Sequence, residues 1–166
     1  MRDEGLVRWF LDNGADPHAA ARASDITPFS FAVKHATWSV IDLLYRHSGY
    51  ADHGQLAWHA SQRKDAVCLR VFQWLLEEGA SVDDVLHEDR PLFRHWAVLY
   101  HAGTPLYNAV SNNNSTLVKL LLMHGADPRK GGAGVGSAID LASLMVVGGD
   151  PEMMAVLRTH TPAVKA

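Results

Sequence analysis

Apolar residues recur at helical spacing in several short blocks of this 166-residue chain. The clearest block runs from Leu117 to Met123, where Leu117, Val118, Leu120, Leu121 and Leu122 lay an amphipathic stripe along one helix. Related blocks run over Leu6–Leu11, end at Leu43-Leu44-Tyr45-Arg46-His47 and at Leu75-Leu76-Glu77-Glu78, and close the chain over Pro151–His160. Three of these blocks stop at a glycine, Gly14, Gly79 and Gly125, and Ser48 takes the same place in the fourth. Glycine ends a helix readily because it enters the left-handed conformation without a Cβ penalty. After two of the stops the chain spells Gly-Ala-Asp-Pro, at 14–17 and at 125–128, with a looser copy at Gly79-Ala80-Ser81. Asp-Pro turns the chain away from the helix it has just left.

A second signal follows each stop. Thr27-Pro28-Phe29 and Thr104-Pro105-Leu106 are strong helix starts, with Gln55-Leu56-Ala57 and Ser137-Ala138-Ile139 as degenerate versions. The threonine hydroxyl accepts a free backbone N–H, and proline in the first helical position loses no hydrogen bond. Five residues on stand Ala32, Ala60, Ala109 and Ala142, small enough to let two helices approach closely. Start, short helix, turn, amphipathic helix and glycine make one helix–turn–helix unit. The helix-ending positions are 34, 31 and 46 residues apart. Two intervals sit near a period of about 33 residues, and the third holds about 13 more.

The segment Thr104-Pro105-Leu106-Tyr107-Asn108-Ala109-Val110, continued by Leu117 to Pro128, resembles a full ankyrin repeat. The stretch from Gly54-Gln55-Leu56 to Glu78-Gly79-Ala80, and then Gly103-Thr104-Pro105, is also similar to divergent ankyrin arrays common in filamentous fungi. The resemblance covers residues 5–160 and implies an all-α solenoid of stacked helix–turn–helix units with one extended finger loop. It divides a single 1–166 domain into a partial repeat 1–26, repeats at about 27–54, 55–103 and 104–136, a shortened terminal repeat 137–160 and a tail 161–166. The histidine that the family carries after Thr-Pro-Leu is replaced here by Ser30, Trp58, Tyr107 and Asp140, which implies a less regular stack. The chain also opens inside a repeat, with an outer-type helix over Leu6–Leu11, as expected of a half-repeat cap or of a piece of a longer array.

The resemblance implies two contact surfaces. The extra length, residues 83–103, would project as a finger on the concave side. It carries Phe93, Arg94, Trp96 and Tyr100, residue types that dominate binding hot spots. Leu92, Phe93, Trp96 and Leu99 could equally pack on neighbouring fingers. The second surface is the inner-helix face, where Phe31, His35, Trp58, His59, Gln62, Arg63, Tyr107, Asn108 and Asn112 would stack into a groove. Packing between repeats is the competing role for Phe31, Trp58 and Tyr107, and solvation for the polar members.

Composition narrows the function without naming it. A formal charge of −3 leaves no basic excess for a general nucleic-acid footprint. No run of about 18 apolar residues is present to span a membrane, and the charged N-terminus lacks the apolar core of a signal peptide. The Asn113-Asn114-Ser115-Thr116 sequons read better as a polar turn and helix start than as glycosylation sites. Cys68 is the single cysteine and lies on an apolar helical pattern, so a buried thiol is expected rather than a nucleophile. The glycine run Lys130 to Gly136 lacks the Lys-Ser/Thr that a phosphate loop requires, and reads as a flexible turn. His87, His95 and His101 share the insert with Glu88 and Asp89 but show no metal-ligand spacing. His47 and His124 precede the helix stops, where a histidine favours the C-terminal dipole.

The expected protein is a monomeric, intracellular interaction module, cytoplasmic or nuclear, that binds another protein without catalysis, cofactor or metal. One alternative is a recognition or regulatory segment of a larger multidomain protein. A remoter one is a small-molecule-binding or enzymatic protein with a pocket under the insert. Leu121→Ala is expected to cost about 2–5 kcal/mol by emptying a core position. A thermal melt unchanged by that substitution would contradict the proposed helical register.

Overall fold

The computed structural model describes residues 3–20, 26–51, 55–85, 103–132, 135–145 and 151–160. Those residues form the helices α1 (Glu4–Asp12), α2 (Pro28–His35), α3 (Trp38–Ser48), α4 (Leu56–Ser61), α5 (Cys68–Glu77), α6 (Pro105–Ser111), α7 (Ser115–Met123), α8 (Ala138–Leu144) and α9 (Pro151–Thr159). Two short strands, β1 (Gly131–Gly132) and β2 (Val135–Ser137), pair antiparallel between α7 and α8. The described residues are mostly helical, with this one short strand pair among them. Gly131 lies opposite Ser137 and Gly132 opposite Val135, so part of the glycine run expected to be a flexible turn forms a strand pair. Pairing gives this extended backbone partners for its N–H and C=O groups.

The helix starts form as the sequence predicts. The Thr27 side chain accepts the Ser30 N–H at 3.0 Å while the Ser30 hydroxyl accepts the Thr27 N–H at 2.9 Å, a reciprocal cap. Thr104 accepts the Tyr107 N–H at 3.2 Å, and Ser137 and Asp140 form a second reciprocal cap at the start of α8. Asn114 accepts the Leu117 N–H at 3.1 Å, so the polar 113–116 stretch is the turn and start of α7. The degenerate start at Gln55 has no side-chain cap; its backbone is left-handed, with φ 53°, and α4 is only six residues long.

The stops are more uniform than the sequence suggests. Gly14, Gly49, Gly79 and Gly125 are all left-handed, with φ between 79° and 85°. Ser48 does not end α3; it is the last residue of that helix, and Gly49 closes it. A Cβ in the left-handed region crowds the following carbonyl, so the turn settles one residue later, where there is none. The burial register still runs from Ser48. Val40, Ile41 and Leu44 match Val71, Phe72 and Leu75 of α5 and Leu117, Val118 and Leu121 of α7, and all nine are buried. Helix α3 therefore carries one extra residue before its turn.

Past Gly14, Gly79 and Gly125 the same bond recurs. The N–H groups of Ala15, Ala80 and Ala126 donate to the carbonyls of Phe10, Leu75 and Leu121 at 2.9–3.0 Å. Asp16 accepts the His18 N–H and Asp127 the Arg129 N–H, both at 2.8 Å. The carbonyls of Pro17 and Pro128 then accept the N–H groups of Phe29 and Ile139, at 3.0 and 3.1 Å. Gly-Ala-Asp-Pro thus recurs because it closes one helix and ties its turn to the first turn of the next.

The described residues fall into two compact units, 1–80 and 81–166. In the first, α2 packs on α3 and α4, α4 on α5, and α1 on α3. In the second, α6 packs on α7 and α8, and α9 on α7 and α8. Each unit therefore joins neighbouring helices and also helices two apart, the pattern of helical hairpins laid side by side. Ala32, Ala60 and Ala109 are fully buried and Ala142 nearly so, as close approach requires. The fully buried apolar residues include Phe29, Ile41 and Phe72 in the first unit and Leu106, Leu117 and Leu157 in the second. Gly49→Ala is expected to cost about 1–2 kcal/mol, and Ser48→Ala to stay within about 0.5 kcal/mol of wild type. Chemical denaturation would measure both, and the reverse order would return the helix stop to Ser48.

Candidate protein-binding surface

The insert candidates Phe93, Arg94, Trp96 and Tyr100 lie outside the described residues, as do His87, Glu88, Asp89, His95 and His101. The described residue before them, Val85, is buried, as is Gly103 after them. Just ahead, both carboxylate oxygens of Asp83 stand 3.2 Å from the Asp127 N–H. Burial pushes the Asp83 carboxyl up, and that backbone bond opposes the shift.

Several of the inner-helix candidates are buried. Trp58 and His59 sit on α4, Tyr107 and Asn108 on α6, and all four are buried. The expectation of a surface His59 is corrected: it is 3% exposed, with its ring edge-on to Trp58 at 5.1 Å. The Trp58 indole N–H is buried and donates to no acceptor among the described residues. Asn112 is the C-cap of α6 and half-buried. Exposed inner-helix candidates remain on α2, where Phe31 is 45% exposed and His35 lies 4.6 Å from it, ring to ring. Lys34 lies beside them, with its ammonium 5.9 Å from the Trp58 ring centre. Burial lowers the pKa of Lys34; burial first, then the charges of Lys34 and Arg63, lowers that of His35.

Arg63 is the largest correction. Expected to face a partner, it is 4% exposed and turned inward. Its guanidinium donates to the carbonyls of Val33 at 2.7 Å and Ala36 at 2.9 Å, and pairs with Asp65 at 2.6 and 2.9 Å. Helix α2 ends at Ala36 in an extended conformation rather than with a left-handed glycine. Its last carbonyls therefore need another donor, and the planar guanidinium reaches two at once. The hydrogen bond from Arg63 is the main reason the Asp65 carboxyl is held below its usual range.

Cys68 is buried, and desolvation pushes its thiol up to about 11. Two features went unread in the sequence. An open cavity of about 290 Å³ is lined by Asp16, His18, His47, Ser48 and Tyr50, with His18 stacked on Tyr50 at 4.4 Å. Helix α1 exposes Leu6, Trp9 and Phe10. Among the described residues no group of three or more His, Cys, Asp or Glu could hold a metal ion. No described helix is long and apolar enough to cross a membrane.

Arg63→Ala is expected to destabilise the fold by about 2–3 kcal/mol, since two buried carbonyls lose a charged donor. A cost below about 0.5 kcal/mol would show that water replaces the guanidinium. The Asp65 contribution is present above the ordinary carboxylate pKa of about 3.9 and lost as pH falls through the depressed folded value. An NMR titration should therefore find Asp65 below the usual range in the wild type and returned upward in Arg63→Met.

Residues 101–130 match the family model for the ankyrin repeat. No curated protein matches the chain. The family match spans α6, α7 and the turn after them, where the Thr-Pro start, the buried alanine and the glycine stop coincide, and it identifies this segment as an ankyrin repeat, a unit that generally serves protein–protein interaction.

Proposed function

We propose that the chain is a monomeric module that binds another protein through the exposed part of its inner-helix face and the long finger 83–103. The observation that carries this reading is the exposed pair Phe31 and His35 on α2, a helix fixed at both ends. Its start is held by the Thr27–Ser30 cap and its end by Arg63. A face presented this way loses little conformational entropy on binding. Aromatic side chains at the centre of such a patch carry much of the energy of protein interfaces.

In this reading the helices form an array, with a partial repeat 1–26, repeats at about 27–54, 55–103 and 104–136, and a short terminal repeat 137–160. Phe93, Arg94, Trp96 and Tyr100 are the finger's share of the contact in this reading. Trp58 and His59 on α4 and Tyr107 and Asn108 on α6 are buried, and Asn112 half-buried, so each supports its own helix rather than the contact.

Affinity capture from a lysate of the source cells, with three baits shown by circular dichroism to be folded, tests this reading. The baits are the wild type, a Phe31→Ala/His35→Ala variant, and a variant with Phe93, Arg94, Trp96 and Tyr100 changed to alanine. A partner held by the wild type should weaken about tenfold or more with at least one variant, because losing a hot-spot side chain costs about 2 kcal/mol or more. Identical capture by all three baits would place the contact elsewhere.

A further inference from the structure

The open cavity lined by Asp16, His18, His47, Ser48 and Tyr50 lies where two turns meet, one after α1 and one after α3. The same junction occurs twice in the chain. His18, four residues past Gly14, stacks on Tyr50, two past Ser48, with ring centres 4.4 Å apart. Asp83, four past Gly79, accepts the N–H of Asp127, two past Gly125, at 3.2 Å. The second junction has a cation of its own, Lys130, whose charge acts on the Asp83 carboxyl. Among the described residues no lysine or arginine lines the first.

Charge around this cavity is one-sided. One carboxylate oxygen of Asp16 accepts the His18 N–H at 2.8 Å, and Asp16 makes no ion pair among the described residues. The C-terminal ends of α1 and α3 both reach the cavity, at Gly14 and at Ser48, and such helix ends carry partial negative charge. Helix α1 has no basic residue in its last turn, and in α3 Arg46 is held by Asp42 at 2.9 Å. Tyr50 is 42% exposed, so its ring offers a face to a cation. At about 290 Å³ the cavity is at the small end of ligand sites, sized for a side chain. A guanidinium meets all these features. It lies flat on an aromatic ring while its in-plane N–H groups donate to a carboxylate and to carbonyls, which a compact ammonium cannot do at once.

We infer that this cavity takes an arginine side chain of a partner protein, with the guanidinium stacked on Tyr50 and its N–H groups directed to Asp16. The lining shares no residue with the Phe31–His35 face or with the finger, so the test reads this site alone. The probe is the blocked peptide acetyl-Gly-Arg-Gly-amide, titrated up to millimolar concentration into the ¹⁵N-labelled full chain. Two comparisons run beside it: the same peptide with citrulline, which keeps the shape of arginine without its charge, and free arginine.

The expected result is a saturable shift of the Asp16, His18 and Tyr50 amides, several-fold weaker with the citrulline peptide. Asp16→Asn should weaken binding several-fold. It keeps an oxygen for the His18 N–H, so the variant should retain the wild-type circular dichroism and melt. Tyr50→Leu, which removes the ring face, should weaken binding too and provides a second arm should Asp16→Asn unfold. No shift, an equal shift with citrulline, or binding unchanged in both variants would overturn the proposal. So would tighter binding of free arginine than of the blocked peptide, which would give the cavity to a small molecule. A shift seen only after Arg22→Gln would also overturn it, by giving the cavity to an arginine of this chain.

Discussion

Helices of six to eleven residues have more orphaned backbone groups at their ends than internal hydrogen bonds to hold them, and in isolation they melt. Every described helix here is that short. The protein therefore rests on two things done at each helix end: closing the backbone, and bringing a neighbour close enough to bury an apolar stripe. The left-handed glycines close α1, α3, α5 and α7, and at Ala15, Ala80 and Ala126 the next N–H bonds back into the helix just finished. Buried alanines on the alternate helices let the neighbour in. Remove either and the other gains nothing, because an unclosed helix offers no fixed stripe and an uncovered stripe gives no stability.

Helix α2 shows how strict this requirement is. It lacks a left-handed stop, and the chain meets the need with a residue from beyond α4, the buried Arg63 bound to the carbonyls of Val33 and Ala36. A buried guanidinium is costly unless every direction is satisfied, and Asp65 takes the remaining one. The same arrangement ties α2 to the segment after α4, which holds Phe31 and His35 in a fixed position. Helix α1 is closed in the same way and exposes Leu6, Trp9 and Phe10.

The local devices were legible in the sequence. Thr27-Pro28 and Thr104-Pro105 cap their helices by bonds that reach three residues, and Gly-Ala-Asp-Pro closes its turns over a similar span. Bonds of that reach leave a mark in adjacent residues. Arg63 could not be read this way, because its partners lie 27 and 30 residues away and a lone arginine beside Lys64 looks like a surface charge. Ser48 misled because the burial register does run from it while the turn uses its neighbour, a difference of one residue that periodicity alone does not resolve. The strand pair after α7 was hidden by glycine, which carries no side-chain pattern. Trp58, His59, Tyr107 and Asn108 look like surface positions from their place in each helix; the sequence does not show how deeply those positions are covered.

Native-state hydrogen exchange at Ala80 and Ala126 tests the closing bonds most directly. Both amides are predicted to exchange slowly, with protection close to that of the buried turns of α5 and α7, because their N–H groups bond to Leu75 and Leu121. Exchange at the rate of an exposed turn, with the helices themselves still protected, would contradict the account and leave the helices held by side-chain packing alone.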